Sequence, residues 1–566
     1  VGKGRNRYPR LVLHAVALAL IAGALCAGLG GRAAVWAQGR GWSKPFFVSP
    51  DTKSSWFPDL ASAPDGSVHI VWASSRSVGP ELKDTLDLLY YRSLRGGAWS
   101  EPNNISNPGV GGFATRNSIV AGPDGALNLL IRGQTTISFL RAPQLSAGQF
   151  LAWSEPRKIN NLSTPYYTAL ALDGGGTLHA LWAETVPDDA KSPRKECANC
   201  ADVFYRASGD GGRTWTEPLN LSNSVEGSMK PQIKVDDRNG LHAVWEEGVD
   251  TIVARGKPVA GAYRHSPDGG KTWGPVVRFT LPVSSDLDEK GKPKPDAPRQ
   301  IALGLYQNRT PVVVYRSAVN NRVYFQTSQD GAAWGEPRAL PGVLARDLND
   351  TPWDGYALAT DSAGALHLVM VGFPAGAKIA RPVVLHLTWN GKSWSAPDVV
   401  ASSENYPDWT SEGLKQCTPP QNQSEEELGE PPSACQKVQR YPEWPRIAVG
   451  LGNQLEVAWF TRNVKDRYTS DYAEYQVWYS ARQIDAPAVA PVAPPPTATP
   501  PPTPAPTATL VPTPMPTLSA QAASAPLLEE RLAWEGPGML AVGLSALPAL
   551  GFVALVVGVA RLRARR

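Results

Sequence analysis

Between residues 41 and 485, apolar and polar positions alternate in short runs that keep returning. SVHIVW ending at Trp72, TLHALW at Trp182, GLHAVW at Trp245, TPVVVY at Tyr315 and QLEVAW at Trp459 all alternate in this way, which is the period of half-buried strands. A shorter strand precedes such runs, as in Phe57 to Ala61, Asn117 to Val120, Tyr167 to Ala171 and Arg446 to Val449. A third element has Trp, then Ser, Thr or Gly, then Pro close behind. It recurs at Trp42, Trp99, Trp153, Trp215, Trp273, Trp334 and Trp394, with spacings of 57, 54, 62, 58, 61 and 60 residues.

Four short strands repeated at this period predict an all-β fold, a β-propeller whose radial packing protects short sheet edges. Six units run from about residue 51 to 400. A seventh, Tyr441 to Asp485, has three strands and lacks the Trp-Pro strand. The missing piece stands at the other end of the domain, as Trp42-Ser43-Lys44-Pro45 leading to Val48. A seven-bladed ring is therefore expected over residues 41–485, with residues 41–50 completing the last blade. A six-bladed ring is the alternative.

The flanks follow other patterns. Lys3, Arg5, Arg7 and Arg10 precede an apolar run from Leu11 to Gly30, and the small residues after it predict a signal peptide over residues 1–37. An uncleaved signal anchor is the alternative. Residues 486–536 are a Pro/Thr/Ala-rich stretch of polyproline character, expected to act as a stalk. Residues 537–560 are apolar and long enough to span a bilayer, and 561–566 carry four Arg, which places a basic tail inside the cell. The expectation is a single-pass cell-membrane protein with its propeller outside.

Charge excludes one class of partner. The formal net charge is +4, but residues 1–40 hold six basic and no acidic residues and the last six hold four Arg, leaving −6 for residues 41–560. No basic domain or stripe marks a nucleic-acid surface. Outside a membrane, Cys197, Cys200, Cys417 and Cys435 are expected to form disulfides, with local pairing favoured among three connectivities. His69, His179, His242 and His367 recur at one second-strand position. They are expected to be packing residues of the repeat, and neither a metal nor a cofactor is expected.

The turns before two of the Trp strands are SGDGGRTW, with Ser208, Asp210, Gly212 and Trp215, and SPDGGKTW, with Ser266, Asp268, Gly270 and Trp273. Asp can bond turn amides, Gly accepts positive φ, and Trp is expected to pack between blades. These turns resemble the Asp-box, or BNR, repeat of the sialidase superfamily. The resemblance implies scaffold, because the motif is structural. Sialidases of that family carry an Arg triad, a Tyr nucleophile paired with Glu, and an Asp acid/base. Their first Arg position falls on Trp56 in Ser55-Trp56-Phe57-Pro58. The catalytic motif is thus not preserved there.

Short turns gather on one face of such a ring and long inserts on the other, and binding is expected on the long-loop face. The starts of inner strands and the ends of second strands point to Trp56, Phe57, Arg116, Tyr166, Tyr167, Lys230, Arg299, Arg316, Tyr356, Trp444, Arg446 and Arg462 as ligand-binding candidates. Aromatic platforms beside Arg suit a glycan or a carboxylated ligand. Asp59, Glu184 and Glu247 are the carboxylates that could act as catalysts, and Arg116, Arg299 and Arg446 could replace the Arg triad. The sequence favours a non-catalytic propeller binding an extracellular glycan or protein. A divergent sialidase-like glycoside hydrolase is the alternative.

Overall fold

The structure, a computed structural model, describes residues 41–49, 54–78, 84–107, 116–162, 164–187, 200–249, 257–282, 287, 290–346, 355–377, 382–402, 440–463 and 475–495. The expected signal peptide, transmembrane helix and basic tail lie outside these residues, as do Cys197, Cys417 and Cys435. No described helix is long and apolar enough to cross a membrane.

Seven antiparallel sheets form a ring, so the six-bladed alternative is set aside. Blade 3 shows the unit: Pro165–Leu172, Leu178–Thr185, Ala201–Ser208 and Leu219–Asn220, paired in sequence order. The seventh sheet combines Arg440–Gly450, Gln454–Asn463 and Gln476–Gln483 with Phe46–Phe47 from the N-terminal side. Phe46 pairs with Tyr479 and Phe47 with Trp478, so the first strand of the chain closes the ring as the repeat count requires.

Sheet faces pack on neighbouring blades, and the buried apolar residues separate into seven clusters, one at each seam. The alternating second strands supply their centres, with Trp72, Trp182, Trp245 and Trp459 fully buried. Each motif Trp then leans edge-on against an aromatic ring of the preceding blade's third strand. The pairs are Trp99 on Tyr479, Trp153 on Tyr91, Trp215 on Phe139, Trp273 on Tyr205, Trp334 on Tyr263, Trp394 on Phe325 and Trp42 on His386, at 4.9–6.5 Å between centroids.

The turns that position these Trp residues are held as the motif requires. Asp210 Oδ1 accepts from Ser208 Oγ at 2.9 Å and from the Thr214 amide at 2.9 Å, while Thr214 Oγ1 donates to Oδ2 at 2.6 Å. Asp268 repeats the arrangement with Ser266 and Thr272. Gly270 adopts φ +88°, and a Cβ there would sit 1.8 Å from the Tyr205 hydroxyl. Both the turn and the seam therefore require glycine.

The recurring histidines are hydrogen-bonded between a turn and the third strand. His179 joins Asp173 at 3.3 Å to the Tyr205 hydroxyl at 2.9 Å. His242 does the same between Asp236 and Tyr263, and His367 between Asp361 and His386. In blade 1, His69 bonds Tyr91 and Ser67. Burial pushes the His69 imidazole down to about 3, so it is neutral.

Beyond the last strand, Ala486–Pro495 runs as a strap over the short-turn face. The Val489 amide donates to Leu451 and the Val492 amide to Pro64, both at 2.8 Å. Ser362 donates to the Pro487 carbonyl, and Pro494 and Pro495 lie against Gly125. The opening of the Pro-rich stretch thus touches turns of blades 6, 7, 1 and 2.

Candidate functional site

The inner strands of five blades carry a register shift near their starts, at Trp56/Asp59, Tyr166/Thr168, Met229/Gln232, Arg299/Ala302 and Glu443/Arg446. One residue in each bulge is left-handed: Phe57 (φ 49°), Tyr167 (36°), Lys230 (57°), Gln300 (55°) and Trp444 (52°), and Arg116 (59°) holds the same place before the inner strand of blade 2. None of the six is glycine. Such a conformation costs on the order of 1–3 kcal/mol per residue. Because every inner strand starts on the long-loop face, the six residues stand at one end of the hub, where Lys230 is half-buried and the other five are buried.

Aromatic and cationic groups interlock there. Trp444 meets Phe57 edge-on at 5.2 Å and stacks near Tyr167 at 6.0 Å. The Arg116 guanidinium lies over Phe57 at 4.4 Å, Tyr167 at 4.8 Å and Tyr166 at 5.0 Å, while Arg132 covers Tyr166 at 4.1 Å. Trp56 borders this group, 4.9 Å from Phe57 and 5.8 Å from Tyr475. Burial, outweighing the pull of Arg116, pushes the Tyr167 phenol up to about 12. It stays protonated at neutral pH.

A second cluster centres on Glu246, which is fully buried. Lys230 Nζ donates to both its oxygens at 3.1 Å, and the Gln300 amide donates to Oε1. Arg299 and Tyr167 lie within electrostatic reach of the same carboxylate. Burial lowers the Lys230 ammonium, and Glu246 opposes that shift. A small cavity of about 40 Å³ opens between Lys230, Gln300, Tyr356 and Trp444.

Deeper in the shaft lies a cavity of about 220 Å³ whose lining includes Asp59, Ser118, Gln232, Lys234, Tyr356 and Arg446. Arg446 Nε stands 3.6 Å from Asp59 Oδ1, with its guanidinium 4.1 Å from the Trp444 ring. Burial raises the Asp59 carboxyl, against Arg446 and the Ile119 amide, which favour its charge. Lys234 Nζ donates to the Leu358 carbonyl at 2.9 Å.

The remaining candidates sit elsewhere. Glu184 accepts from Asn160 at 2.6 Å and from Trp182 Nε1 at 3.0 Å, and Glu247 meets Trp245 Nε1 at 3.3 Å and Arg278 at 2.7 Å. Both share a strand face with a buried Trp, so they occupy the seams toward blades 2 and 3, where burial raises their carboxyls. Alternation turns Glu246, the neighbour of Glu247, toward the hub cluster. Arg316 is fully buried and donates to the Arg346 carbonyl at 2.6 Å and to Asn321 at 3.1 Å. The Arg462 side chain lies outside the described residues. Arg116, Arg299 and Arg446 sit in different blades, yet each lies within electrostatic reach of Tyr167.

No family model matches the chain, and no curated protein matches it. Solved structures do. A Dyadobacter fermentans protein of unknown function aligns at 11% identity over 78% of this chain and 98% of its own, TM-score 0.41. The NanB sialidase of Streptococcus pneumoniae aligns at 12% identity over 79% of this chain and 70% of its own, TM-score 0.40. The Hadza microbial sialidase Hz136 aligns at 13% identity over 70% and 74%, TM-score 0.38. The likeness is one of scaffold, a propeller similar to those of sialidases, and no residue role is carried over from it.

Proposed function

We propose that this chain is a membrane-tethered extracellular propeller that binds an anionic glycan or an acidic protein surface at the long-loop mouth of its hub, without turning it over. One observation carries the proposal. Six blades hold a left-handed residue at the same place, and all six residues are bulky: three aromatic, two cationic and one amide. Glycine would relieve the strain at each. The side chains gained in exchange are the types that stack on sugar faces and bond carboxylates or sulfates. The strap supports a tethered presentation, because Pro494 and Pro495 lie on the short-turn face.

The hydrolase alternative has one observation in its favour, the grouping of Tyr167 with Glu246 and three Arg. Against it, a nucleophilic phenol needs its charged form stabilised, whereas burial holds Tyr167 at about 12. The test exposes the purified full chain to an array of neutral and acidic glycans, and to fluorogenic sialosides and uronides. Saturable binding of acidic glycans that weakens with salt, and falls at least tenfold in Trp56→Ala, is the expected result. Turnover abolished by Tyr167→Phe or Glu246→Gln would replace the binding reading with the catalytic one.

A further inference from the structure

Away from the mouth, at the short-turn end of blade 4, Asp236, His242 and His265 bring one ligand atom each to within 4.8 Å of one another. His242 and His265 are register partners on the neighbouring strands Leu241–Val249 and Lys257–Ser266, with ring centroids 4.5 Å apart. Asp236 lies in the turn that leads into the first of these strands. Its Oδ1 accepts the Arg238 and Gly240 amides at 2.8 and 2.6 Å, and its Oδ2 stands 3.3 Å from His242 Nε2.

Blades 3 and 6 carry the same Asp turn and histidine, at Asp173 with His179 and Asp361 with His367, whereas blade 1 keeps His69 with Ala63 at the Asp place. Facing His69, His179 and His367 across the third strand are Ser93, Ala207 and Thr388. In blade 6 a second histidine is present, but His367 bonds Asp361 through Nε2 and His386 through Nδ1, so these groups form a chain and do not converge. Blade 4 alone among these puts a second imidazole on the same side as the carboxylate.

The geometry points to a divalent metal site of the zinc class at the edge of blade 4, held by Asp236 Oδ2, His242 Nε2 and a ring nitrogen of His265. Two imidazoles and one carboxylate are a donor set for Zn(II), Co(II), Ni(II) or Cu(II). Their tetrahedral ligand atoms stand roughly 3.4 Å apart for bonds of about 2.1 Å. The half-buried His265 ring closes that difference by turning about its side-chain bonds, and water completes the shell from solvent.

The surroundings prepare two of the donors. The Tyr263 hydroxyl stands 2.6 Å from His242 Nδ1, so on metal binding it would accept a proton carried there while Nε2, now facing Asp236, gives its lone pair to the metal. Two backbone amides, of Arg238 and Gly240, fix the Asp236 carboxylate through Oδ1 and leave Oδ2 directed at the histidines. The metal would add a coordinate bridge to the hydrogen-bonded link between turn and third strand that all four histidine-bearing blades share.

The test titrates the tag-free full chain with Co(II), read by its visible ligand-field absorption, and then displaces Co(II) with Zn(II). One equivalent bound with nitrogen and oxygen ligation is expected. His265→Ala should weaken binding at least tenfold, and it should fold, because blade 3 carries Ala207 at that place. Asp236→Asn keeps an acceptor for the Arg238 and Gly240 amides and should weaken binding similarly, whereas His386→Ala should not. No stoichiometric binding, or affinity unchanged in His265→Ala, would overturn the assignment.

Discussion

Glu456 offers the sharpest test of how the seams are built. It occupies in blade 7 the place that histidine holds in four other blades. It is 2% exposed, and the Tyr479 hydroxyl donates to its Oε2. Burial raises its carboxyl from 4.5 to about 8, with Tyr479 pulling the other way. Between those pH values the folded chain keeps a proton that the unfolded chain has released. Stability from this group is therefore fully present below about pH 4.5 and lost as pH rises to about 8, at about 1.4 kcal/mol per pH unit, or about 5 kcal/mol in all. With an unfolding entropy of about 2.1 cal/mol/K per residue, this corresponds over the propeller to a fall in Tm of roughly 5 °C. Glu456→Gln keeps an acceptor for Tyr479 and carries no charge, so its stability should not show that fall. The assay is thermal unfolding of the full chain and the variant from pH 4.5 to 8.5, read as the difference between them. Parallel profiles would refute the reasoning, because the difference cancels every other titrating group.

Arg346 and Glu443 form an ion pair in which both side chains are fully buried. Arg346→Met strands the carboxylate and should cost about 3–5 kcal/mol in denaturant unfolding, and a change below 1 kcal/mol would mean that water reaches the pair. Deleting residues 41–49 removes the Phe46 ring stacked 4.9 Å from Trp99 and the Phe47 ring 5.0 Å from Trp478. Blade 7 should then open, with a lower Tm and new protease cleavage in Gln476–Gln483, and an unchanged Tm would show that three strands suffice. Val489→Pro and Val492→Pro each delete one amide donor of the strap and should each cost about 0.5–1.5 kcal/mol. Proteolysis should reach residues 486–495 first in these variants, and unaltered cleavage would show that the strap is held by side chains alone.

Blade number, the closing strand and the turn chemistry were legible in the sequence because each follows from a repeated residue with a local cause. Trp sits at the seam, Asp bonds the turn, Gly takes positive φ, and the one unit lacking its Trp strand sends the reader to Trp42. A further repeated signal is Tyr-Arg on third strands, at Tyr91-Arg92, Tyr205-Arg206 and Tyr263-Arg264. In the latter two pairs the Tyr bonds the recurring His, while the Arg reaches the preceding blade through the Ile159 and Leu221 carbonyls at 2.7 Å. The hub was harder to read. A left-handed residue that is not glycine leaves no mark in composition, and each bulge changes which side chains face inward. Glu184 and Glu247 end second strands, but second strands present their faces to neighbouring blades. Glu246 is turned the other way by strand alternation and meets Lys230 from the inner strand.

The repeats themselves separate scaffold from specificity. Position by position, the seven blades agree where a residue holds the ring together. Trp recurs in all seven motif strands, His in four second strands, and an aromatic ring under every motif Trp. At the left-handed place the backbone is again the same in six blades, yet the side chains are Phe57, Arg116, Tyr167, Lys230, Gln300 and Trp444, no two alike. A position needed only for the fold would be filled the same way each time, and here glycine would fill it without strain. Six different answers to one backbone problem, all at one end of the hub, are what a site shaped to an asymmetric ligand requires. The fold repeats sevenfold and the mouth does not, which is why the mouth, and neither the seams nor the turns, is where binding should be sought.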